Sequence, residues 1–294
     1  MSVCPEAQEA IPVTFRVRPL DPIGVEIEGL ALGDDLPDED LEALRRSVLE
    51  HEVVLLREQS LSGDEQLALG RRFGPLEGIY VGAGRSLQEL IVIANVDDEG
   101  RIRPDDSEAM RSITINEQWH TDSSFRETPA AFSIFAAVEI PPEGGETWYA
   151  SLRRGWEALD SETRDALEGL RAKHDYREAY RRAGAGEAFE GMGSALEHWH
   201  PLIRRHPETG ARALFVTGHA FEVEGMQVAE GRALVESLVA FCTEEERVYR
   251  HRWRPGDVLI WDNRSMLHRA QGFEERHRRV MHHVRVAGAA PVAT

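Results

Sequence analysis

The chain has 294 residues, 41% of them hydrophobic and 29% charged, a mixture that excludes wholesale disorder and permits a sizeable core. Lys+Arg number 34 against Asp+Glu 52, and the net charge of −18 weighs against nucleic acid and anionic membrane surfaces as partners. Cys4 and Cys242 are too few for a disulfide framework, no apolar run reaches the length of a membrane span, and MSVCPEAQEA carries no secretory pattern, so the expectation is a cytoplasmic protein acting on a small molecule.

In chain order, Thr14 to Val25 is β-branched and punctuated by Pro19, Pro22 and Gly24, which predicts one or two short strands. Asp38 to Glu50 places Leu41, Leu44, Val48 and Leu49 at helical spacing behind an acidic start, predicting an amphipathic helix. Val53 to Leu56 reads as a buried strand. Ser62 and Glu65 form a capping-box pattern for a second helix that ends at Gly74 and Pro75. Glu89 to Asn95 and Ile113 to Asp122 read as strands, and the polar, breaker-rich Asp97 to Arg111 between them as a mobile loop. A third helix is expected over Ser161 to Ala172, with a capping pattern at Ser161. Tyr176 to His198 keeps no period and reads as a second mobile segment. Strands are expected at Leu214 to Val216, Tyr249 to Arg254, Asp257 to Trp261 and Arg279 to Val286, and a helix at Glu230 to Cys242. Arg254, Pro255, Gly256 and Asp257 make a turn between two of these strands. No repeat, low-complexity tract or linker divides the chain, so one domain over 1–294 is expected. Strands at both ends with helices interspersed favour a barrel or sandwich over a doubly wound sheet.

The chemistry concentrates in Trp119, His120, Thr121 and Asp122. On a strand His120 and Asp122 would share a face, offering an imidazole and a carboxylate to a divalent metal. His268, directly after an apolar strand, can supply a second imidazole. Two histidines and one carboxylate on one face of an octahedral ion form the facial triad of non-haem Fe(II) oxygenases. Arg279, eleven residues on, suits a distal carboxylate through its planar fork, and Thr147 can add a hydroxyl donor. The same residue types leave two other readings open: a cupin-like isomerase or hydrolase, and a catalytically inactive jelly-roll that binds a partner.

The segments HTD, GGETWYAS, HPETG, RPGDVLIWDNRSMLHRA and RRVMHHVRV resemble the taurine dioxygenase / 2,4-dichlorophenoxyacetate dioxygenase family over roughly Val53 to Gly288. VEGMQVAEGRALVESL and VYRHRWRPGD look closer to its dichlorophenoxyacetate branch. The resemblance implies a mainly β fold with flanking helices around a double-stranded β-helix (jelly-roll) core. It also implies an Fe(II)- and 2-oxoglutarate-dependent dioxygenase that uses O2, releases succinate and CO2, and assembles as a dimer or higher oligomer. It places iron on His120, Asp122 and His268, and 2-oxoglutarate on Thr147 and Arg279 with Asn116 nearby. Tyr80, Ser123 and His219 fall in segments that border the substrate. Related halogenases lack the carboxylate ligand, so Asp122 points to hydroxylation, with C–O cleavage where the attacked carbon bears an ether oxygen. One position departs from the family. Four residues past Arg279, where anion-binding members usually carry a second arginine, stands His283, a poorer clamp for a sulfonate. Arg285, further along the same face, is the nearest substitute. An aryloxyalkanoate or related carboxylate is the expected substrate.

Overall fold

Val258–Asp262 is buried at every position and is paired on both sides, by Val53–Leu56 and by Ala130–Glu139. These strands lie at the centre of a seven-stranded sheet in the computed structural model, which describes residues 15–81, 86–104, 107–184 and 196–294. The strands of this sheet are β1 (Arg16–Pro19), β2 (Val25–Glu28), β3 (Val53–Leu56), β6 (Leu90–Ala94), β7 (Ala130–Glu139), β15 (Val258–Asp262) and β17 (Val280–Ala287). Their order is β1-β2-β3-β15-β7-β17-β6, antiparallel except for β2 against β3. A smaller sheet has the order β14 (Val248–His251), β8 (Thr147–Ser151), β16 (Met266–Ala270).

The two sheets face each other across one apolar layer. Phe135, Leu259, Trp261 and Met281 of the large sheet meet Tyr149, Tyr249 and Met266 of the small one, and the Tyr149 and Trp261 rings lie 5.4 Å apart. The outer face of the large sheet is covered by α1 (Asp38–His51) and α2 (Gly63–Phe73), whose Leu44, Val48, Leu69 and Phe73 pack on Val54, Ile134, Ile260 and Val284. The outer face of the small sheet is covered by α4 (Leu152–Ala158) and α7 (Val228–Cys242), through Leu152, Trp156, Val235 and Leu238 against Ala150 and Leu267. The chain is therefore mainly β with flanking helices. No helix among the described residues is long and apolar enough to cross a membrane.

Several expected elements stand where the sequence puts them. Ser62 caps α2 with both halves of a capping box in place, and the turn at Arg254–Asp257 closes with Asp257 N–H donating to the Arg254 carbonyl at 3.0 Å. Three expectations are corrected. Ile113 to Asp122 is not a strand: α3 (Glu108–Ile115) occupies its first part, because Ile115 is drawn into a buried cluster with Ala179 and Tyr180. The third helix, α5 (Ser161–Leu167), is capped by Asp160, which accepts from Thr163 N–H, and it stops early to leave β9 (Arg171–Asp175) free to pair. The strand expected at Leu214–Val216 lies at Arg212–Leu214.

Of the two segments expected to be mobile, 97–103 forms a turn in which Asp97 accepts from Arg101 main chain and side chain at 2.8 Å each. The second opens as helix α6 (Tyr176–Arg182) and ends in β10 (Glu197–Pro201). Residues 105–106 and 185–195 of these segments lie outside the described residues.

Candidate metal centre and cosubstrate site

His268 lies on β16 opposite Tyr149, so its side chain points into the layer between the sheets. His120 forms a single antiparallel bridge with it, extending the small sheet by one residue pair. Each of the two donates its amide N–H to the other's carbonyl at 2.9 Å, a pairing that puts both side chains on one face. Their ring centroids are 4.1 Å apart. Asp122 opens the turn that follows. Ligand atoms of His120, Asp122 and His268 all lie within 4.8 Å of one another, and all three residues are buried.

The orientations of His120 and Asp122 are fixed from behind, whereas His268 Nδ1 is buried without a hydrogen-bond partner among the described residues. His120 Nδ1 donates to the Gln118 carbonyl at 2.8 Å, which leaves the Nε2 lone pair free for a metal. Asp122 Oδ2 accepts from Ser133 Oγ at 2.6 Å. Ser133 Oγ in turn accepts from Asn263 Nδ2 at 2.8 Å, so the serine proton is directed to the carboxylate. Asn263 Oδ1 is held by Trp261 Nε1 at 2.9 Å. Burial pushes the His268 imidazole well below its ordinary range, and His120 beside it acts in the same direction. Burial also lowers His120, against the pull of Asp122. For Asp122 burial works to raise the carboxyl, but His283, His268 and Arg285 together hold it well below the usual carboxylate range. Two neutral imidazoles and an ionised carboxylate are the protonation states a divalent cation requires.

Arg279 is buried on the other side of the same layer. Its Nη2 donates to the Gly145 carbonyl at 3.2 Å, and its Nε has no partner. Among the described residues no carboxylate lies within ion-pair distance of it. Burial pushes this guanidinium down to about 10, with Tyr149 acting the other way. A side chain at 145 would crowd Arg279 Nε and Pro141, so the backbone there is held close to the guanidinium. Thr147 is buried and accepts from Trp253 Nε1 at 2.9 Å, which leaves its own proton to donate. Asn116 is half-buried in the turn after α3, and its carbonyl accepts from Ala270 N–H at 2.8 Å. Ala270 is in turn the cross-strand neighbour of Thr147.

The remaining residues singled out from sequence fall as follows. His219 stacks on His120 with centroids 5.7 Å apart, and its ring is pushed down to about 3 by burial and by His120. Ser123 adopts φ 55°, a left-handed conformation uncommon outside glycine, and its hydroxyl donates to Glu77. His283 is buried with Nε2 3.5 Å from Asp122 Oδ2, between the Trp261 and Phe135 rings, so it stands beside the Asp122 carboxylate. Tyr80 belongs to β4 (Ile79–Val81) by its backbone, and its side chain lies outside the described residues. Met281 and Trp261 are fully buried core, and Arg278 makes the surface ion pair with Glu139.

Sequence reasoning missed Ser133 and Asn263, which stand behind the Asp122 carboxylate. The signal for Ser133 was a lone hydroxyl inside the apolar run AAFSIFAAV. The HPETG segment serves a different end from the site: His206 Nε2 bonds Asp262 at 2.9 Å, and Arg264 clamps the same carboxylate.

Residues 16–286 match the model of the family described as "Taurine catabolism dioxygenase TauD, TfdA family". The chain belongs to this family. An alpha-ketoglutarate-dependent 2,4-dichlorophenoxyacetate dioxygenase of Cupriavidus pinatubonensis is 36% identical over 270 residues, 89% of this chain and 94% of the relative. An (S)-phenoxypropionate/alpha-ketoglutarate-dioxygenase of Sphingobium herbicidovorans is 33% identical over 93% of this chain and 95% of its own. The crystal structure of AAD-2 with Mn(II) and N-oxalylglycine superposes with a TM-score of 0.88 at 29% identity, covering 96% of this chain and 99% of that one. As a member of the TauD/TfdA family, the chain is an Fe(II)- and 2-oxoglutarate-dependent dioxygenase. The family assignment removes the cupin-like and inactive-scaffold readings.

Proposed function

We propose that His120, Asp122 and His268 hold the Fe(II), that Arg279 and Thr147 anchor 2-oxoglutarate, and that the two facing sheets are a double-stranded β-helix spanning one domain. The observation that carries this reading is the convergence of the three buried ligand atoms within 4.8 Å, with their other polar edges already committed on His120 and Asp122. The donor set fits a non-haem Fe(II) site, two neutral imidazoles and one carboxylate with further positions open. Held there, Fe(II) would activate O2, the oxidant, for C–H hydroxylation, with 2-oxoglutarate supplying two of the four electrons as it is converted to succinate and CO2.

The protein's own part is positioning. Arg279 presents to the distal carboxylate a buried guanidinium whose Nε has no partner, and Thr147 adds a hydroxyl donor from the neighbouring strand. Asn116 stands next to this strand pair, on the cosubstrate side. Ser123, His219 and His283 border the substrate, together with the β4 strand that carries Tyr80. The aromatic wall of Trp261, Phe135 and Tyr149 keeps water from the space between the sheets. The substrate class that fits is an aryloxyalkanoate or related small carboxylate, as for the relatives named above. Hydroxylation at a carbon bearing an ether oxygen gives a hemiacetal-type product that breaks at the C–O bond.

The test is anaerobic. Fe(II) and then 2-oxoglutarate are added to metal-free protein, and the visible charge-transfer band of a chelated Fe(II)–2-oxoacid is recorded. Its appearance, and its loss in His120→Ala, is the expected result. Iron binding without the band would overturn the cosubstrate site.

A further inference from the structure

Tyr149 is fully buried, yet among the described residues its hydroxyl has no hydrogen-bond partner. Its cross-strand neighbour Tyr249 makes the contrast, because that phenol donates to His251 Nδ1 at 2.9 Å. His251 Nε2 directs the ring proton to Asp257 Oδ2 at 3.1 Å, so the Tyr249 hydroxyl is committed within the fold. The Tyr149 hydroxyl is not. Its ring already packs against Trp261 at 5.4 Å and beside His268 at 6.2 Å, contacts that need no oxygen. A buried hydroxyl without an acceptor is destabilising, and phenylalanine at the same place would avoid the loss.

The register of the small sheet sets this hydroxyl along the path of the cosubstrate. Tyr149 and Thr147 are two residues apart on β8, so their side chains share the face that looks into the layer. Tyr149 pairs with His268 on β16, and Thr147 pairs with Ala270, two residues further on. Gly145, two residues before Thr147, accepts from Arg279. The segment therefore presents, in order, the Arg279 contact, the Thr147 hydroxyl and the Tyr149 phenol level with His268. Burial, Tyr249 and Asp122 push the phenol well above its ordinary range while Arg279 draws it down, and Tyr149 in turn holds the Arg279 guanidinium up against burial. The phenol thus stands within electrostatic reach of Asp122 and of Arg279, and a molecule that spans the two passes it. The Tyr149 hydroxyl and Arg279 Nε are both buried donors without acceptors. One carboxylate can satisfy both.

We propose that Tyr149 is a third anchor of the distal carboxylate of 2-oxoglutarate, donating its hydroxyl proton beside Arg279 and Thr147. The phenol then selects among 2-oxo acids, since a dicarboxylic one uses its proton and a monocarboxylic one leaves it orphaned. This inference rests on the cosubstrate site formed by Arg279 and Thr147.

The experiment compares 2-oxoglutarate with 2-oxovalerate, which has the same 2-oxo acid end and a methyl group in place of the distal carboxylate. Each is titrated anaerobically into Fe(II)-loaded wild-type and Tyr149→Phe enzyme, and half-saturation of the visible band gives the affinity. The wild type should bind 2-oxoglutarate the more tightly. Tyr149→Phe should weaken 2-oxoglutarate binding about ten- to a hundredfold, as for loss of a hydrogen bond to a charged group, and leave 2-oxovalerate within about threefold. Metal-free Tyr149→Phe should unfold at an unchanged or higher denaturant concentration, since the hydroxyl holds nothing in the fold. An equal loss for both acids, an unchanged 2-oxoglutarate affinity, or a lower midpoint for the metal-free variant overturns the proposal. A wild-type enzyme that forms no band, or binds both acids alike, defeats the Arg279 and Thr147 site instead.

Discussion

His120 and His268 exchange both of their main-chain hydrogen bonds at 2.9 Å, so the spacing of the two imidazoles is set by the backbone ladder and not by side-chain packing. The third ligand has no such support and relies on Ser133. Asp122→Ala should therefore abolish iron-dependent turnover while the imidazole pair stays in register. Iron content after desalting, read beside activity, checks this.

Ser133→Ala removes the donor to Asp122 Oδ2 without touching a ligand. Outer hydrogen-bond partners of metal ligands are typically worth about 10–100-fold in metal affinity, and a loss in that range is expected here. Competition against a metal-binding dye gives the number. An unchanged affinity would show that His283 and Arg285 suffice to hold the carboxylate.

Arg279→Ala should raise the 2-oxoglutarate concentration needed for half-maximal turnover by roughly 30- to 5,000-fold, since a buried charged partner contributes about 2–5 kcal/mol. Arg279→Lys should recover only part of the loss, because an ammonium cannot make the fork. Steady-state titration of 2-oxoglutarate separates the two variants.

Gly155 on α4 lies so close to Cys242 on α7 that a methyl group there would overlap the sulfur. Gly155→Ala is expected to cost about 1–3 kcal/mol of stability through overpacking. In a Cys242→Ala background the same substitution should cost at least about 1 kcal/mol less, a coupling that denaturant midpoints of the four proteins measure.

Two buried histidines away from the metal centre give the protein an acid limit. His174 is held well below its usual range by burial and then by His200, and His200 itself is pushed down to about 3 by burial and by His198. Both stay neutral in the folded chain, while the unfolded chain takes up protons below about pH 6.5. Their contribution is complete above that pH and is lost as the pH falls from 6.5 toward the folded value, at up to about 1.4 kcal/mol per pH unit for each. His174→Phe, which keeps a ring 4.6 Å from Phe215, should flatten this slope between about pH 6 and 4.5. Chemical denaturation across that range tests it.

Much of the site was legible because its chemistry is local. His120 and Asp122 are two residues apart, and His268 follows the apolar strand that delivers it. The supporting residues were not, because each comes from a distant element that only the fold brings near: Ser133 from β7, Asn263 from the turn after β15, and Glu77 from the segment before β4. The strand β7 itself escaped notice for a related reason. It is covered on both faces, Ile134 outward and Phe135 inward, so its sequence is a continuous apolar run without the alternation that marks a half-exposed strand. At α3, β-branched Ile113, Thr114 and Ile115 suggested a strand, and packing of Ile115 against α6 overrode that preference.

The bridge between His120 and His268 divides the molecule's labour in a way that bears on how such enzymes diversify. Two of the three candidate metal ligands are spaced by a main-chain pairing that almost any neighbouring sequence can sustain. The charge cluster of Glu77, Arg126 and Arg285, by contrast, depends on the side chains of three separate segments. Replacement of one side chain in it leaves the main-chain pairing of His120 and His268 as it was. The surroundings of the site can thus change one residue at a time while the pairing that spaces the two imidazoles stays in place.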